Sequence, residues 1–507
     1  MTRLGTRELL ELLVDPGSYV SWDGQLDVRR PLPHPDQEEY DALLDEARLR
    51  SGTDESVHVG EARVRGQRTA ILAGDFAFLA GSIGVTSGER VAALLDRARH
   101  EHLPVLALPV SGGTRMQEGS VAFVQMVKAA AGVRALRASG LPFVVYLRDP
   151  TTGGVFATWG SMGQVTYASP DSLIGFLGPR VFETIRGAPF PPGVQVSQNL
   201  ARHGLVDEVV PPERLADKLA GLLSVAAPAS RAARPFVPPV ADHLAEPEPG
   251  DDPWRSVQIS RDARRPGVRD LLALVADDVT ELYGTGEGEP DAPAVLLALA
   301  HVAGVPAVVL GQDRDAQRAG HALGPVALRK ARRGMHLAVE LGLPLVSVVD
   351  TPGAELSRAA EEGGLAGQIA RCLGDLMSLH APTLSFLLGE GSGGGALAML
   401  PADRVVCAEH AWLSPIAPEG AAAILHRTAE RAPELARHQR IASWELRRYG
   451  IVDRVVPECP SASEEPTSFL SRAAAVIATE LVHLVQRDAG RRVVDRMQRW
   501  RHIGTVL

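Results

Sequence analysis

The feature that most constrains the fold of this chain is an internal repeat with a constant spacing of 240 residues. The matched landmarks, first half against second, are Pro104 and Pro344, Gly113 and Gly353, Gly154 and Gly394, and Ala168 and Ala408. A constant offset across separated landmarks predicts one fold used twice in tandem. Each copy is long enough to bury a full hydrophobic core.

Each copy is organised around an apolar run that leads into glycines and then a helix. In the second copy, the run 383–388 precedes the glycine-rich stretch 389–395 and an Ala/Leu/Met-rich segment from Ala396. In the first copy, the run 141–147 precedes DPTTGGVFATWG. This pattern predicts strand, tight turn and helix N-terminus. Unpaired N–H groups at a helix start favour negative charge, so each turn is a candidate oxyanion site.

Short strands alternate with helices around these turns, which is typical of α/β domains with ligand loops at strand C-termini. We predict domains at 1–225 and 254–507, joined by a semi-extended Pro-rich linker at 226–253, and a further Pro-rich loop at 31–35. Residues 292–311 approach transmembrane length, but the Gly-Val-Pro break at 304–306 favours two buried strands around a turn. An apolar-periodic helix is expected at 469–485.

Composition excludes several classes of function. The net charge of −9 is spread along the chain without a basic stripe, which argues against nucleic acid as a partner. The three cysteines, Cys372, Cys407 and Cys459, form no CxxC pair and fit a reduced, cytoplasmic compartment without structural zinc. The 15 histidines contain no HExxH, so no metal site is expected. The first residues lack the apolar region of a signal peptide, and no membrane association is expected.

Nucleotide and hydrolase motifs are weak or absent. Gly389, Gly391 and Gly394 satisfy GxGxxG, but the equivalent turn in the first half lacks this triplet, so we do not interpret it as a dinucleotide site. The chain has no GxSxG elbow, and Ser392 is interpreted as a turn serine rather than a nucleophile. Arg115 with Glu118 is interpreted either as a loop ion pair or as part of a ligand pocket. Two glycine turns without a nucleophile suit a reaction with two developing oxyanions, such as carboxyl transfer between biotin and an acyl thioester.

The same residues carry a resemblance to a known family. SGGTRMQEG, DPTTGGVFATWG and SLIGFLGPRVFETI resemble the β subunit of bacterial acetyl-CoA carboxylase carboxyltransferase. VSVVDTPGA, AEEGGLAGQIAR, GEGSGGGALAM and SPIAPEGAAAIL resemble its α subunit. The chain is therefore similar to fused, single-chain carboxyltransferases of biotin-dependent acyl-CoA carboxylases, over about 70–212 and 324–457. The resemblance implies an α/β fold of tandem crotonase-like (ClpP/crotonase) domains built from repeated ββα units.

The resemblance also implies a reaction and a set of site residues. Carboxybiotin on a separate carrier protein would give its carboxyl group to acetyl-CoA or another short acyl-CoA, which yields malonyl-CoA or a homologue for fatty acid biosynthesis. Backbone N–H pairs would hold the two enolate oxygens, and the matching catalytic positions are Gly153, Gly154, Gly395 and Ala396. The substrate-binding positions implied are Gly112, Gly113, Arg115, Gly353 and Gly394. The family puts CoA mainly on the first half and biotin on the second.

The implied partners are other chains. The sequence has no biotin-attachment MKM and no ATP-grasp signature, so a biotin carboxylase and a biotin carboxyl carrier protein are expected. In the family that the chain resembles, the active site is shared between chains, which implies a homodimer or a trimer of dimers. The α subunit's GYPGVGAEERGQ-type and HQKG-like stretches are replaced by AELSRAAEEGGL and GQDRDAQRAGH, which leaves acyl chain length open. The alternatives are a non-catalytic acyl-CoA- or partner-binding homologue and a crotonase-type hydratase.

Overall fold

The chain folds into two compact units, each with its own sheet. The computed structural model describes residues 4–25, 37–230, 232–236, 247, 250 and 252–503. Unit 1 consists of Met1–Ser230 with Gly286–Pro290, and unit 2 of Arg231–Thr285 with Asp291–Leu507. Half of the predicted linker 226–253 and all of the predicted loop 31–35 lie outside the described residues.

Unit 1 alternates strands and helices, as the sequence predicts. Its elements are α1 (Thr6–Leu13), β1 (Val20–Ser21), α2 (Gln37–Ser51), β2 (Val57–Val64), β3 (Gln67–Gly74), α3 (Val85–His100), β4 (Val105–Leu108), α4 (Gly119–Phe123), α5 (Gln125–Ala138), β5 (Phe143–Leu147), β6 (Thr151–Thr152), α6 (Gly153–Phe156), β7 (Val165–Ala168), β8 (Ile174–Gly175), α7 (Pro179–Arg186), α8 (Ser197–Arg202), β9 (Glu208–Val209) and α9 (Pro212–Ala226).

The main sheet of unit 1 has the order β1-β2-β3-β4-β5-β7-β9. Strands β1 to β3 pair antiparallel, and β3 to β9 pair parallel. Strands β6 and β8 form a separate two-stranded parallel pair. The core packs α3 and α5 against β2 to β5 with buried aliphatic side chains and Trp159. Every residue of β4 and β5 is buried. Parallel strands that are buried on both faces need apolar side chains throughout, which is why these two read as continuous apolar runs.

Unit 2 repeats this plan with additional helices. Its elements are α10 (Pro253–Ser260), α11 (Val268–Val275), β10 (Ala276–Leu282), β11 (Val295–Val302), β12 (Val305–Gln312), α12 (Arg314–Arg318), α13 (Pro325–Leu341), β13 (Leu345–Thr351), α14 (Arg358–Glu362), α15 (Leu365–Ser378), β14 (Thr383–Ser392), α16 (Gly393–Leu397), β15 (Arg404–Ala408), β16 (Trp412–Ser414), α17 (Pro418–His426), α18 (Ala432–His438), α19 (Ser443–Arg448), β17 (Arg454–Val456), α20 (Pro466–Val485) and α21 (Ala489–His502).

The sheet of unit 2 has the order β10-β11-β12-β13-β14-β15-β17, and β16 pairs with the end of β14. Strands β10 to β12 are antiparallel, and β12 to β17 are parallel. The prediction of two buried strands in 292–311 is confirmed, because every residue of β11 and β12 is buried. Helix α20 has the length and composition of a membrane span, but 67% of that window is buried inside the protein, as in a core helix.

The 240-residue spacing of the sequence is also the spacing of the elements. Strand β5 starts at Phe143 and β14 at Thr383, and helices α6 and α16 start at Gly153 and Gly393. Each unit therefore places a glycine turn after the central parallel strand, with a helix that starts at the same point.

A protonated histidine ties the start of unit 1 to its sheet. His58 on β2 lies 3.5 Å from Asp23 Oδ2 through Nδ1 and 3.5 Å from Asp75 Oδ2 through Nε2. Burial by itself lowers the pKa of His58, but the hydrogen bonds to Asp23 and Asp75 outweigh it and raise the pKa to about 9. The hydrogen bonds to His58 in turn help to hold the pKa of both carboxyl groups below their ordinary value, against the opposing effect of burial.

The raised pKa of His58 predicts a pH-dependent stability. Because the folded-state pKa lies above the unfolded value near 6.5, this contribution is complete below about pH 6.5 and is lost as pH rises through about 9. The total is at most about 3 kcal/mol, and ~1 kcal/mol shifts the melting temperature of such a unit by roughly 2–4 °C. We expect His58→Gln to melt several degrees below the parent at pH 6, with the gap closing towards pH 10. His100→Gln, at an exposed histidine, is the matched control. A gap that is constant with pH would contradict the charged triad.

Candidate active site

The first glycine turn lies at the start of helix α6. Gly153 has a φ of +65°, and its N–H donates to the Phe176 carbonyl oxygen at 2.9 Å. Gly154 is the second residue of the helix, and within the described part of the chain its N–H has no hydrogen-bond acceptor. Both glycines are half-buried, between the buried residues Thr152 and Val155. The turn therefore presents the Gly154 N–H at an accessible helix start.

The second glycine turn opens helix α16 in the same way. Gly393 has a φ of +63°, and Gly393 and Gly394 are half-buried between buried neighbours. Among the residues that the structure describes, no acceptor is found for the N–H groups of Gly394 and Gly395. The first four N–H groups of a helix have no partner inside it, so they are available to an anion.

The predicted pair Gly395–Ala396 lies two residues further along than the counterpart of Gly153–Gly154. By helix position, φ and burial, that counterpart is Gly393–Gly394, whereas Gly395 and Ala396 are buried in the first turn. A Cβ added to Gly395 would lie only 3.0 Å from the Ala354 nitrogen. The sequence pattern could not separate these positions, because three consecutive glycines hide which one adopts the left-handed conformation.

The predicted substrate-binding glycines lie in the loops that follow β4 and β13. Gly113 has a φ of +122° and Gly353 a φ of +142°. In each loop a hydroxyl two residues earlier accepts the glycine N–H: Ser111 at 2.9 Å for Gly113, and Thr351 at 3.1 Å for Gly353. The Ser111 hydroxyl donates to the Gly81 carbonyl oxygen at 2.6 Å, and the Thr351 hydroxyl donates to Gln317 Oε1 at 2.7 Å. The equivalent loops are thus held by equivalent hydroxyls.

These loops pack directly against the glycine turns. A Cβ added to Gly153 would lie 3.0 Å from Gly113 Cα, and one added to Gly353 would lie 3.6 Å from Ser392 Oγ. Gly112 donates its N–H to the Ala80 carbonyl oxygen at 2.8 Å. The predicted residues Gly112, Gly113, Gly153 and Gly154 therefore lie together in unit 1. In unit 2, Gly353 lies against Gly395, one residue from Gly394 and Ala396.

Arg115 lies in a loop ion pair, the first of the two alternatives that the sequence allowed. Its guanidinium contacts both carboxylate oxygens of Glu55, and Nη1 lies 3.2 Å from Glu118 Oε1. Only 1% of its side-chain surface is exposed. Burial alone lowers the pKa of Arg115, but Glu55 raises it above the ordinary value, so the side chain stays charged. In this arrangement Arg115 holds the SGGTRMQEG loop in place.

A buried polar network behind the second turn escaped the sequence interpretation. Gln312, at the end of β12, donates from Nε2 to the Gly395 carbonyl oxygen at 2.8 Å and accepts the Asp350 N–H at 3.0 Å. Asp350 Oδ1 accepts the Glu390 N–H at 2.9 Å. Burial raises the pKa of Asp350, and Arg314 only partly offsets this. A polar residue at the end of an otherwise apolar strand was the signal that could have revealed Gln312.

The arrangement can bind oxyanions but offers no obvious nucleophile. Ser392 is 2% exposed and precedes the helix whose N–H groups face outward. Among the described residues there is no group of His, Cys, Asp and Glu that could hold a metal ion. Each turn is lined by glycines, which lets an oxygen of a thioester or of a cyclic urea approach the backbone closely. Donors fixed in this way stabilise negative charge as it develops.

Comparisons with known proteins point in one direction. A sequence profile described as acetyl co-enzyme A carboxylase carboxyltransferase-like matches residues 251–504. The chain is 52% identical over 99% of both chains to a probable biotin-dependent acyl-coenzyme A carboxylase beta3 subunit of Mycobacterium tuberculosis. It is 38% identical to the acetyl-coenzyme A carboxylase carboxyl transferase subunits beta/alpha of Salinispora tropica, over 100% of this chain and 91% of that protein.

Solved structures show the same fold at low identity. Transcarboxylase 12S, in a hexamer with methylmalonyl-coenzyme A and methylmalonic acid bound, matches with a TM-score of 0.75 and 21% identity over 96% of this chain and 91% of that one. A single-chain, multi-domain long-chain acyl-CoA carboxylase matches with a TM-score of 0.69 and 22% identity over 93% of this chain and 45% of that one. These matches confirm the predicted tandem crotonase-like fold.

The left-handed glycine in the first loop predicts a matched pair of stability effects. Gly113→Ala forces a side chain into a φ of +122° and should cost roughly 1–3 kcal/mol. Gly112→Ala keeps an ordinary backbone, and its added Cβ would lie 3.5 Å from the Ala80 carbonyl oxygen, so it should cost much less. Thermal melting of both variants measures the difference. Equal melting temperatures would show that the loop does not impose this conformation.

Proposed function

The chain belongs to the carboxyltransferases of biotin-dependent acyl-CoA carboxylases, and we propose that its acceptor is acetyl-CoA or another short acyl-CoA. The observation that carries the proposal is the pair of glycine turns, one in each unit, whose helix-start N–H groups lack acceptors among the described residues. Carboxyl transfer to a thioester needs charge stabilisation at two oxygens, one on the thioester and one on the biotin ring. The product would be malonyl-CoA or its homologue.

In the proposed mechanism the protein supplies donors rather than a covalent partner. Carboxybiotin, when bound, provides CO2 and the basic ring nitrogen that takes the α proton. The N–H of Gly154 would hold the thioester oxygen as it gains negative charge, after the α carbon has lost its proton and before it forms the bond to CO2. The N–H groups of Gly394 and Gly395, which lack acceptors among the described residues, would hold the ureido oxygen on the biotin side. Each preorganised donor of this kind is worth ~3–4 kcal/mol.

The crotonase-type hydratase alternative is less well supported by the acids near the turns. A hydratase needs carboxylates that can exchange protons with substrate and water. Glu118 lies in the ion pair with Arg115, and Glu390 lies 2.9 Å from Arg261 Nε. Both acids are paired with arginines, although Arg261 only partly offsets the rise in the pKa of Glu390 that burial causes. We favour carboxyl transfer because the turns present N–H groups without acceptors among the described residues. A non-catalytic binding homologue would keep the fold without turnover, and the activity assays below decide that point.

The proposal includes the protein's partners and location. A separate biotin carboxylase and a carrier protein would deliver carboxybiotin to an enzyme that works as a homodimer or a trimer of dimers. Three free cysteines without a disulfide, two buried and one exposed, support a cytoplasmic site of action. The 52%-identical relative bears the general name acyl-coenzyme A carboxylase, and the 38%-identical relative is named for acetyl-coenzyme A.

The choice of acyl group is testable with a panel of acceptors. We expect carboxylation of acetyl-CoA or propionyl-CoA by a charged biotin carrier, and little or none of long-chain acyl-CoA. The measurement is incorporation of labelled bicarbonate into acid-stable product with the carboxylase and carrier present. Preference for a long-chain acceptor would correct the substrate, and no product from any acyl-CoA would favour the non-catalytic homologue.

The role of the turns is testable by removing one N–H. Gly154→Pro deletes the donor at a helix position that tolerates proline, so turnover should fall by about 10²–10³-fold while the fold persists. Gly154→Ala is the matched control, because it retains the N–H and its Cβ would lie 3.4 Å from Thr114 Oγ1 and Met126 Cγ. Gly395→Pro should likewise lose activity. Ser392→Ala should keep most of it.

These variants are compared by malonyl-CoA formation, with circular dichroism and thermal melting as checks of folding. Normal rates in folded Gly154→Pro together with an inactive Ser392→Ala would overturn the oxyanion assignment in favour of a serine nucleophile.

A further inference from the structure

The helix that carries the second glycine turn is too short to be stable on its own. Helix α16 has five residues, Gly393–Leu397. Helices of this length are unstable in isolation, because nucleation fixes several residues for few hydrogen bonds. The last carbonyls of a helix also lack partners inside it. One of the carbonyls left in this position is that of Gly395, and it is satisfied from outside by Gln312 Nε2 at 2.8 Å.

Gln312 is a fully buried bridge between three elements. Its side chain has 0% exposed surface at the end of β12. Its Nε2 binds helix α16, and its Oε1 accepts the Asp350 N–H in β13 at 3.0 Å. Asp350 in turn accepts the N–H of Glu390, three residues before the glycine turn. The side-chain amide of Gln312 thus links β12, β13 and helix α16.

Among the residues of unit 1 that the structure describes, no such bridge is found. In the paired strands β3 and β4, Ala70 lies opposite Val105, and in β12 and β13, Val308 lies opposite Leu345. Continuing both registers by four residues places Gly74 where unit 2 has Gln312. Gly74 has no side chain to reach the helix, and its carbonyl oxygen accepts from Thr6 Oγ1 at 2.7 Å. Within the described part of the chain, the bridge is therefore found only behind the second turn.

We propose that Gln312 is a positioning residue for the second oxyanion site. Gly395 carries both the carbonyl that Gln312 binds and an N–H without an acceptor among the described residues, so holding the carbonyl restrains the residue that presents this N–H. Without the bridge, Gly395 can change its backbone angles and turn its N–H away from the bound oxygen. The inference rests on the proposed carboxyl transfer and adds a residue that touches neither substrate.

Two substitutions separate positioning from packing. Gln312→Met has a similar shape but neither donates nor accepts, so we expect kcat to fall by about 10- to 100-fold with little change in the KM for acyl-CoA. Gln312→Glu can mimic the amide only when protonated, with its O–H donating to Gly395 and its carbonyl accepting from Asp350. When the introduced glutamate is ionised, one carboxylate oxygen would face the Gly395 carbonyl oxygen, and the two oxygens would repel each other.

The pH profile of Gln312→Glu is the decisive readout. Its buried site should raise the pKa of the new carboxyl group. The charged groups around this network are Asp313, Arg314, Arg318, Asp350, Glu390 and Arg265. We expect the activity of Gln312→Glu relative to the parent to be near normal at low pH and to fall as pH rises, while Gln312→Met stays low throughout. Thermal melting at each pH checks that the protein is folded.

The matched control is another buried glutamine that bridges strands away from the turns. Gln164 in unit 1 accepts the Phe143 N–H at 2.8 Å, at the start of β5. Gln164→Met should lower the melting temperature while leaving kcat and its pH profile unchanged. A Gln312→Met enzyme with parental kcat, or a Gln312→Glu enzyme whose relative activity is independent of pH, would overturn the inference.

Hydrogen exchange keeps this test independent of the proposed function. In Gln312→Met, amides within 389–400 should exchange faster than in the parent, while those within 149–160 should not change. If the parent carboxylates no acyl-CoA, the proposed function fails and exchange alone decides the positioning role. Unchanged exchange within 389–400 would then refute it.

Discussion

The structure depends on one constraint: a backbone N–H at the first turn of a helix has no partner within that helix. Each unit exposes such groups by starting a short helix directly after a glycine in the left-handed conformation, Gly153 or Gly393. The turn is tight because a neighbouring glycine loop packs on it, with Gly113 Cα 3.0 Å from where a Gly153 side chain would begin. The glycines are thus required by backbone contact as well as by conformation.

Buried ion pairs hold the loops and strands next to these turns. In unit 1, the guanidinium of Arg115 is enclosed with Glu55, which secures the loop that carries Gly113. In unit 2, Arg265 and Glu458 form an ion pair with 0% exposure, and Arg265 also donates to the Leu388 carbonyl oxygen at 2.8 Å. Buried pairs of this kind are weak evidence for stability, yet removing one partner leaves a costly isolated charge. They fix the loops and strand ends that carry the turns.

The sequence was sufficient to predict the strands and helix starts that occur in both units. The constant spacing predicted the paired strands β5 and β14 and the helix starts that follow them, because the same local pattern occurs twice. Two glycines of the GxGxxG triplet, Gly389 and Gly391, lie within β14, where side chains would come within 2.6 Å of Asp350 Oδ1 and 2.5 Å of the Trp412 carbonyl oxygen. Those glycines are required by neighbours in space, which a local motif does not specify.

What the sequence could not supply were the long-range partners that decide which group is available to a ligand. Arg115 meets Glu55 across 60 positions, and Gln312 meets Gly395 across 83. Neither pairing has a local signature. The two turns are therefore alike in backbone and different in support, one held by a buried arginine loop and the other by a buried amide. The proposed reaction has two chemically different oxyanions. Because the two turns have different supports, a substitution behind one turn can shift its N–H donors without moving the N–H donors of the other.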